Sequence, residues 1–331
     1  MTRRAPRQAD IAALAGVSQA TVSVVLGGNQ GGVRMAEDTR LRVLAAAEKL
    51  GYVPDPVATR LASKRNHMLG LYTFKATFPT DVADSYYPIL VGVEEQAAAL
   101  GQDLILFTGA DGRGERTHDE AAIRRTKIAD GCLFFGRHVP VASIEKLVET
   151  DFPLVYIGRR DELGGRIPFV GADYVAASAA VVDQLVGHGH RVIRYVREND
   201  DAPSSTDRER GVVEASARAG IDCRVVRTDV GGATVEEWRR EGVTAVVVEE
   251  TDTDAAYLAV RQAVDGTDLS YAVLGRPPEG GTEVTGFEVP RREMGRRAVE
   301  LLVELITGEP KDLHQLLPCT PVPGSTVKDV R

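Results

Sequence analysis

The sequence predicts an α/β protein: an N-terminal three-helix head, a short linker, and a body of two doubly wound α/β lobes. Three observations predict it. Residues 11–26 carry a helical pattern broken once, at a glycine. From residue 68 onward, short apolar runs alternate with helical patterns. About six strands are expected before residue 160, and the same pattern restarts after it. A chain of 331 residues has room for about two domains and a small third at roughly 150 residues each. Its 43% hydrophobic and 27% charged residues fit an ordinary globular protein.

In the head, Ile11, Leu14 and Ala15 fall at i, i+3 and i+4, one face of a helix. Gly16 permits a sharp turn, and Ser18 suits the N-cap of a second helix. Val22, Val25 and Leu26 repeat the spacing and are expected to face the first helix, which leaves Gln19, Ala20, Ser23 and Val24 outward. A third helix is expected from about residue 36 to 50, with Val43, Ala46, Ala47 and Leu50 inward. Helix, glycine turn, helix, helix describes a helix-turn-helix unit, although a plain three-helix bundle has the same periodicity.

Charge separates these two readings. Residues 1–67 hold 10 Lys/Arg and 5 Asp/Glu, so they carry +5 and the remainder −13 of a net −8. A basic head on an acidic body is expected when only the head meets a polyanion. With the short polar outer face of the second helix, this favours DNA binding.

The linker, PDPVATRLASKR, begins with Pro54 and Pro56, which end the third helix. A short helix over residues 57–63 can follow, with Pro56 in its first turn. Arg60, Lys64 and Arg65 would then sit near phosphates. A plain charged linker is the competing reading.

In the body, strands are expected at residues 69–74, 103–107, 131–135, 154–157, 191–196, 223–227, 245–248 and 271–274. Helical patterns separate most of them, which argues for βαβ units and open parallel sheets with helices on both faces. Ligands in such folds bind beyond the carboxyl ends of strands, here in a cleft between lobes. Tyr86 and Tyr87, in the first strand-to-helix loop, and Phe135, at the end of a strand, are therefore ligand candidates. No metal, cofactor or catalytic residue is expected. GADGRG at 109–114 lacks the G-x-G-x-x-G order, and there is no GxxxxGK[ST], HExxH or GxSxG. Cys132, Cys223 and Cys319 are far apart and in no CxxC pair, which argues against a disulfide framework or a zinc site. His188 and His190 flank a glycine and read as turn residues. No apolar run approaches the roughly 18 residues of a membrane helix, and MTRRAPRQAD has no apolar segment after its basic residues. A cytoplasmic location is expected.

DIAALAGVSQATVSVVL, followed by AEKLGYVPDPVATRLAS, resembles the head of the LacI/GalR family of bacterial transcription regulators. ILVGVEEQAAALG, GHGHRVIRYV, RERG at 208–211, PRREMGRRAVELLVELITGEP and LLPCTPVPGSTV resemble later stations of the same family, in order and at the right spacing. The resemblance thus covers the whole chain. It implies a helix-turn-helix domain over 1–53, a hinge helix and linker over 54–66, and a periplasmic-binding-protein-like effector-binding and dimerisation domain over 67–331. The first lobe of that domain is expected at about 67–160. The implied function is a homodimeric repressor, not an enzyme, that binds palindromic double-stranded operator DNA under the control of a small-molecule effector.

By that resemblance the second helix lies in the major groove. Gln19 can pair with adenine, and Ala20 and Val24 offer apolar contact to thymine methyls. Ser23 lies on the same outer face, and Ser18 and Thr21 hold phosphates. Leu61 matches the family's hinge leucine that wedges into the minor groove, and Ala58 the small residue that lets two hinge helices approach. Arg208 matches an arginine that grips ligand hydroxyls or carboxylates, and Asp252 an acidic residue near ligand or hinge. The chain departs from the pattern where Gly158 replaces an Asp, Thr251 an Asn, and Gly275-Arg276-Pro277 an acidic loop. The site loses carboxylates and gains Arg159 and Arg276. If Arg159, Arg208 and Arg276 line the cleft they supply donors only, so an anionic sugar derivative is expected, with a neutral sugar as the alternative. A periplasmic-type binding protein would share the body but not the head. An enzyme on the same fold stays open on fold alone.

Overall fold

The computed structural model describes residues 6–26, 35–53, 65–74, 85–107, 120–227, 231–251, 254–277 and 283–330. The chain divides into two units, Met1–Met68 and Leu69–Arg331.

The first unit contains α1 (Gln8–Ala15), α2 (Gln19–Leu26) and α3 (Glu37–Leu50). The Asp10 carboxylate accepts the Arg7 backbone N–H at 2.7 Å, which anchors the start of α1. Gly16 ends α1 at φ 66°, a left-handed conformation that costs glycine nothing sterically. Two residues later Ser18 Oγ accepts the Thr21 backbone N–H at 3.1 Å and starts α2. The resulting angle between α1 and α2 is 107°, within the range of a helix-turn-helix pair. Ile11, Val22 and Val43 are fully buried between the helices, together with Ala12, Ala15, Ala46 and Ala47. Val25, Leu26 and Leu50 pack on this core. Leu14, expected inside, is 47% exposed, and Ala12 takes its place. The reason is that α1 touches both α2 and α3. Its buried face is therefore centred between Ile11 and Ala12, and at about 100° per residue Leu14 falls outside it.

The second unit holds twelve described strands. They are β1 (Met68–Thr73, beginning at the unit boundary), β2 (Asp103–Phe107), β3 (Gly131–Phe135), β4 (Leu154–Ile157), β5 (Phe169–Ala172), β6 (Val192–Val196), β7 (Asp222–Val226), β8 (Ala245–Glu249), β9 (Ser270–Leu274), β10 (Thr285–Glu288), β11 (His314–Leu317) and β12 (Thr320–Val322). They make two six-stranded sheets, ordered β11-β5-β4-β3-β1-β2 and β12-β10-β9-β8-β6-β7. Pairing is parallel wherever its register is described, except that β12 runs antiparallel to β10. Strands β3 (GCLFF) and β8 (AVVVE) are buried at every position, because helices cover both faces of a parallel sheet.

The first lobe does not end near residue 160. Its sheet continues through β5, and it takes back β11 after the chain has built the second lobe. The helix Arg291–Thr307 also packs on first-lobe strands and on the helix Tyr87–Ala99. The chain therefore passes between lobes three times: after β5, after β10, and between β11 and β12. Four described strands precede residue 160, where about six were expected. Strands β5, β10, β11 and β12, of three or four residues each, were not anticipated; of the expected strands only β4 is as short.

Helix packing in each lobe depends on glycine. Gly92 of Tyr87–Ala99 faces Arg291–Thr307 so closely that a Cβ there would overlap the Arg292 carbonyl. A Cβ on Gly295 would overlap the Ile89 carbonyl from the other side. In the second lobe, Gly211 of Pro203–Ala219 meets the Val175 carbonyl of Tyr174–Gly187 in the same way. Gly92→Ala is accordingly expected to destabilise the body by about 1–3 kcal/mol through overpacking. Gly187→Ala, with no neighbour within 4 Å of the added carbon, should be near neutral. Urea unfolding midpoints of the two variants check this, and equal midpoints would contradict the close-packing account.

Candidate functional site

On the head, Ser18, Gln19 and Ala20 are exposed at the start of α2, whereas Thr21, Ser23 and Val24 are half-buried. The Ser18 and Thr21 hydroxyls lie 2.9 Å apart and hydrogen-bond each other. Both flank the free N–H groups of the first helical turn, a geometry suited to a phosphate. The arginines of α3 are tied along their own helix, Arg40 to Glu37 at 3.7 Å and Arg42 to Asp38 at 3.3 Å. Among the described residues of the head, the outer side chains at the start of α2 carry no such ion pair. The hinge candidates Ala58, Arg60, Leu61 and Lys64 lie outside the described residues, as does Asp252.

On the body, the carboxyl ends of β1, β3 and β4 face those of β6 and β8 across a cleft. Tyr86, Arg137, Arg159, Arg160 and Arg291 line it from the first lobe; Ser204, Asp207, Arg208, Glu250 and Thr251 line it from the second. The enclosed space is about 80 Å³, well below the few hundred cubic ångströms of a typical ligand pocket. Side chains reaching across the cleft take up the room.

The reach follows one pattern: arginines from the first lobe, carboxylates from the second. Arg137 Nε donates to Asp200 at 2.7 Å and its Nη2 to Ser205 Oγ at 3.3 Å. Arg159 Nε donates to Asp207 at 2.5 Å, while its Nη1 holds Asp161. Arg291 Nη2 donates to Glu250 at 2.9 Å. Arg208 belongs to the second lobe and is held there, Nε on the Leu274 carbonyl at 2.8 Å and the guanidinium 3.9 Å above the Tyr174 ring. Glu249 and Glu250 stand 3.9 and 3.6 Å from it.

Burial and charge compete at these groups. Burial pushes the Asp200 carboxyl up, but Arg137, the Ala202 N–H and His138 outweigh it and hold the group below its ordinary value. At Glu249 burial wins over Arg208, Ser205 and Arg197, and its carboxyl sits above the ordinary range. Burial likewise lifts the Tyr156 hydroxyl to about 12 despite Arg160 beside it.

Of the effector candidates, Tyr86, Arg159 and Arg208 come together in the cleft. Phe135 is fully buried behind it, its ring centroid 5.9 Å from that of Tyr86, so it supports a wall rather than lining one. Tyr87 opens the helix Tyr87–Ala99 and does not line the cleft. Arg276 is exposed and lies in a different depression, with Glu288, Arg292, Arg296 and Glu300. Just before it Gly275 adopts φ 145° with Glu250 packed against it, so a side chain at 275 would clash. Donors alone were expected, yet Asp207 and Glu250 bring acceptors to the cleft. Arg137, Arg160 and Glu250 were missed, although each stands within two or three residues of a strand's carboxyl end, the position that flagged Phe135.

Residues 9–55 match the family described as bacterial regulatory proteins, lacI family. Residues 182–327 match the periplasmic binding protein-like domain. The chain is 28% identical over 331 residues to the HTH-type transcriptional regulator CelR of Thermobifida fusca, covering 93% of this chain and 94% of that protein. The solved lac repressor dimer bound to operator and the anti-inducer ONPF superposes with a TM-score of 0.70 at 21% identity, over 98% of this chain and 100% of that one. A transcriptional regulator CelR–cellobiose complex superposes with a TM-score of 0.62 at 24% identity, over 97% of this chain and 99% of that one. At these identities the two structures establish the fold.

The depressed Asp200 carboxyl has a pH consequence. A carboxylate held below its unfolded value contributes stability above about pH 4, and that stability is lost as pH falls through the folded value. Arg137→Gln is expected to return Asp200 toward the ordinary range and to flatten the acid limb of the stability curve. Carboxyl carbon NMR titration of Asp200, with denaturant midpoints from pH 6 to 3, measures both; an unmoved Asp200 would contradict the pairing.

Proposed function

The chain belongs to the lacI family of bacterial regulatory proteins, and we propose that it represses transcription by binding operator DNA under the control of a small polar effector. The observation that carries this reading is the capped helix pair at 107° that leaves Gln19 and Ala20 exposed on α2. A recognition helix so presented fits the major groove with its first residues at base edges. Gln19 reads adenine, Ala20 and Val24 meet thymine methyls, Ser23 lies beside them, and Ser18 and Thr21 hold phosphates.

One head reads one half-site, so the acting species is a homodimer on a palindromic site in the cytoplasm. The hinge residues Ala58, Arg60, Leu61 and Lys64 add the minor-groove contact. The cleft, with guanidinium donors and carboxylate acceptors on facing walls, suits a hydroxyl-rich ligand, and the relative solved with cellobiose supports that class. The effector acts by binding one arrangement of the lobes better than another. We read the protein as a regulator rather than an enzyme.

Selection of bound duplexes from a random pool, followed by footprinting of the winners, tests the DNA reading. A two-fold symmetric consensus is expected, and Gln19→Ala should cost about tenfold to a hundredfold at the adenine it reads while relaxing preference there. Recovery of duplexes with no common sequence would overturn the proposal. Leu61→Ala is expected to weaken specific binding far more than non-specific binding, since a wedge contributes only on kinked DNA. Equal losses on both DNAs at matched salt would remove the hinge from the account.

A further inference from the structure

Among the described residues five guanidinium groups line the cleft, and four of them have a carboxylate within 4 Å: Arg137, Arg159, Arg208 and Arg291. The fifth is Arg160. It is 3% exposed, and its Nη2 donates to the Gly136 and Arg137 carbonyls at 2.5 and 3.2 Å. Its guanidinium lies 4.0 Å above the Tyr156 ring, and its Nε has no partner. Among the described residues no carboxylate pairs with it. Asp161 is held by Arg159, and Glu162 makes no ion pair with Arg160. A guanidinium does not discharge on burial, so the cleft wall carries a desolvated positive charge. Among the described residues this charge meets carbonyls and the Tyr156 side chain but forms no ion pair, while the Glu162 carboxylate near the same tyrosine keeps its Oε2 unpartnered.

Space adjoins this charge. Gly158, two residues before Arg160, also lines the cleft, and a Cβ built on it meets no atom within 4 Å. Opposite lie Ser204, Asp207 and Glu250, which accept or donate to hydroxyls. Building on the reading of this cleft as the effector site, we infer that its ligand is a small hydroxylated anion, a sugar acid or sugar phosphate, whose acidic group sits at Arg160 beside Gly158. Arg160 is then the residue that selects the charged ligand over its neutral parent. A carboxylate or phosphate there supplies the missing counter-charge and an acceptor for Nε.

Calorimetry on the full chain tests this with glucose, glucuronate and glucose 6-phosphate, and with galactose, galacturonate and galactose 6-phosphate. At least one acidic sugar is expected to bind roughly tenfold or more tightly than its neutral parent. The uronate and phosphate arms distinguish the two sources of charge. Arg160→Gln should bring acidic and neutral members to equal affinity, whereas Arg160→Lys, which keeps the charge, should retain a preference. If Arg160→Gln does not fold, the wild-type ranking and Arg160→Lys decide. A neutral sugar binding as tightly as its acidic derivatives would overturn the anionic ligand and leave the effector cleft standing. So would an acid preference that survives Arg160→Gln. Binding by none of the six would overturn the ligand class, while the duplex selection judges the regulator reading separately.

Discussion

The cross-cleft pairing of arginine with carboxylate is the interaction on which the body depends. Arg137, Arg159 and Arg291 stand on one lobe, and Asp200, Asp207 and Glu250 answer from the other. Charges this close to the interior are costly unless matched, and removing one partner leaves the other stranded. Both parallel sheets must therefore turn their carboxyl edges toward the same cleft. The three passages of the chain between lobes hold them there.

Each lobe is closely packed within itself. Glycines at 92, 211 and 295 let helices meet backbone to backbone, and such interdigitated packing transmits displacement rather than absorbing it. A change of state thus falls on the cleft, where the contacts are polar and exchangeable. Under the proposed function, a ligand in the cleft competes with these carboxylates for the arginines. An effector shifts the balance only by its difference in affinity for the two.

Much of this was legible in the sequence, for identifiable reasons. The head could be read because Ile11, Ala15, Val22 and Val43 recur at helical spacing within short helices that have glycine and serine at their junction. The placement of Leu14 failed because one helix touching two partners shifts its buried face, which a single period does not encode. Strands β3 and β8 were legible because burial on both faces leaves unbroken apolar runs. Strand β11 was not, since it is an exposed edge of four residues. Within the cleft, Arg208 was reached through resemblance and Arg159 as a departure from the family's pattern beside Gly158. Asp207 and Arg291 sit inside helices and carry no local mark.

By itself the sequence determined the three head helices, the basic head, eight of the twelve described strands and the α/β class of the body, because each rests on periodicity or composition within a few dozen residues. Only the tertiary structure decided which charges meet. Arg137 pairs with a carboxylate 63 residues away, Arg159 with one 48 away, and Arg291 with one 41 away. It also decided that Arg276 faces elsewhere and that Arg160 forms no ion pair among the described residues. Electrostatic partners are set by distance through space, and the crossings of the chain between lobes, rather than spacing along it, fix those distances.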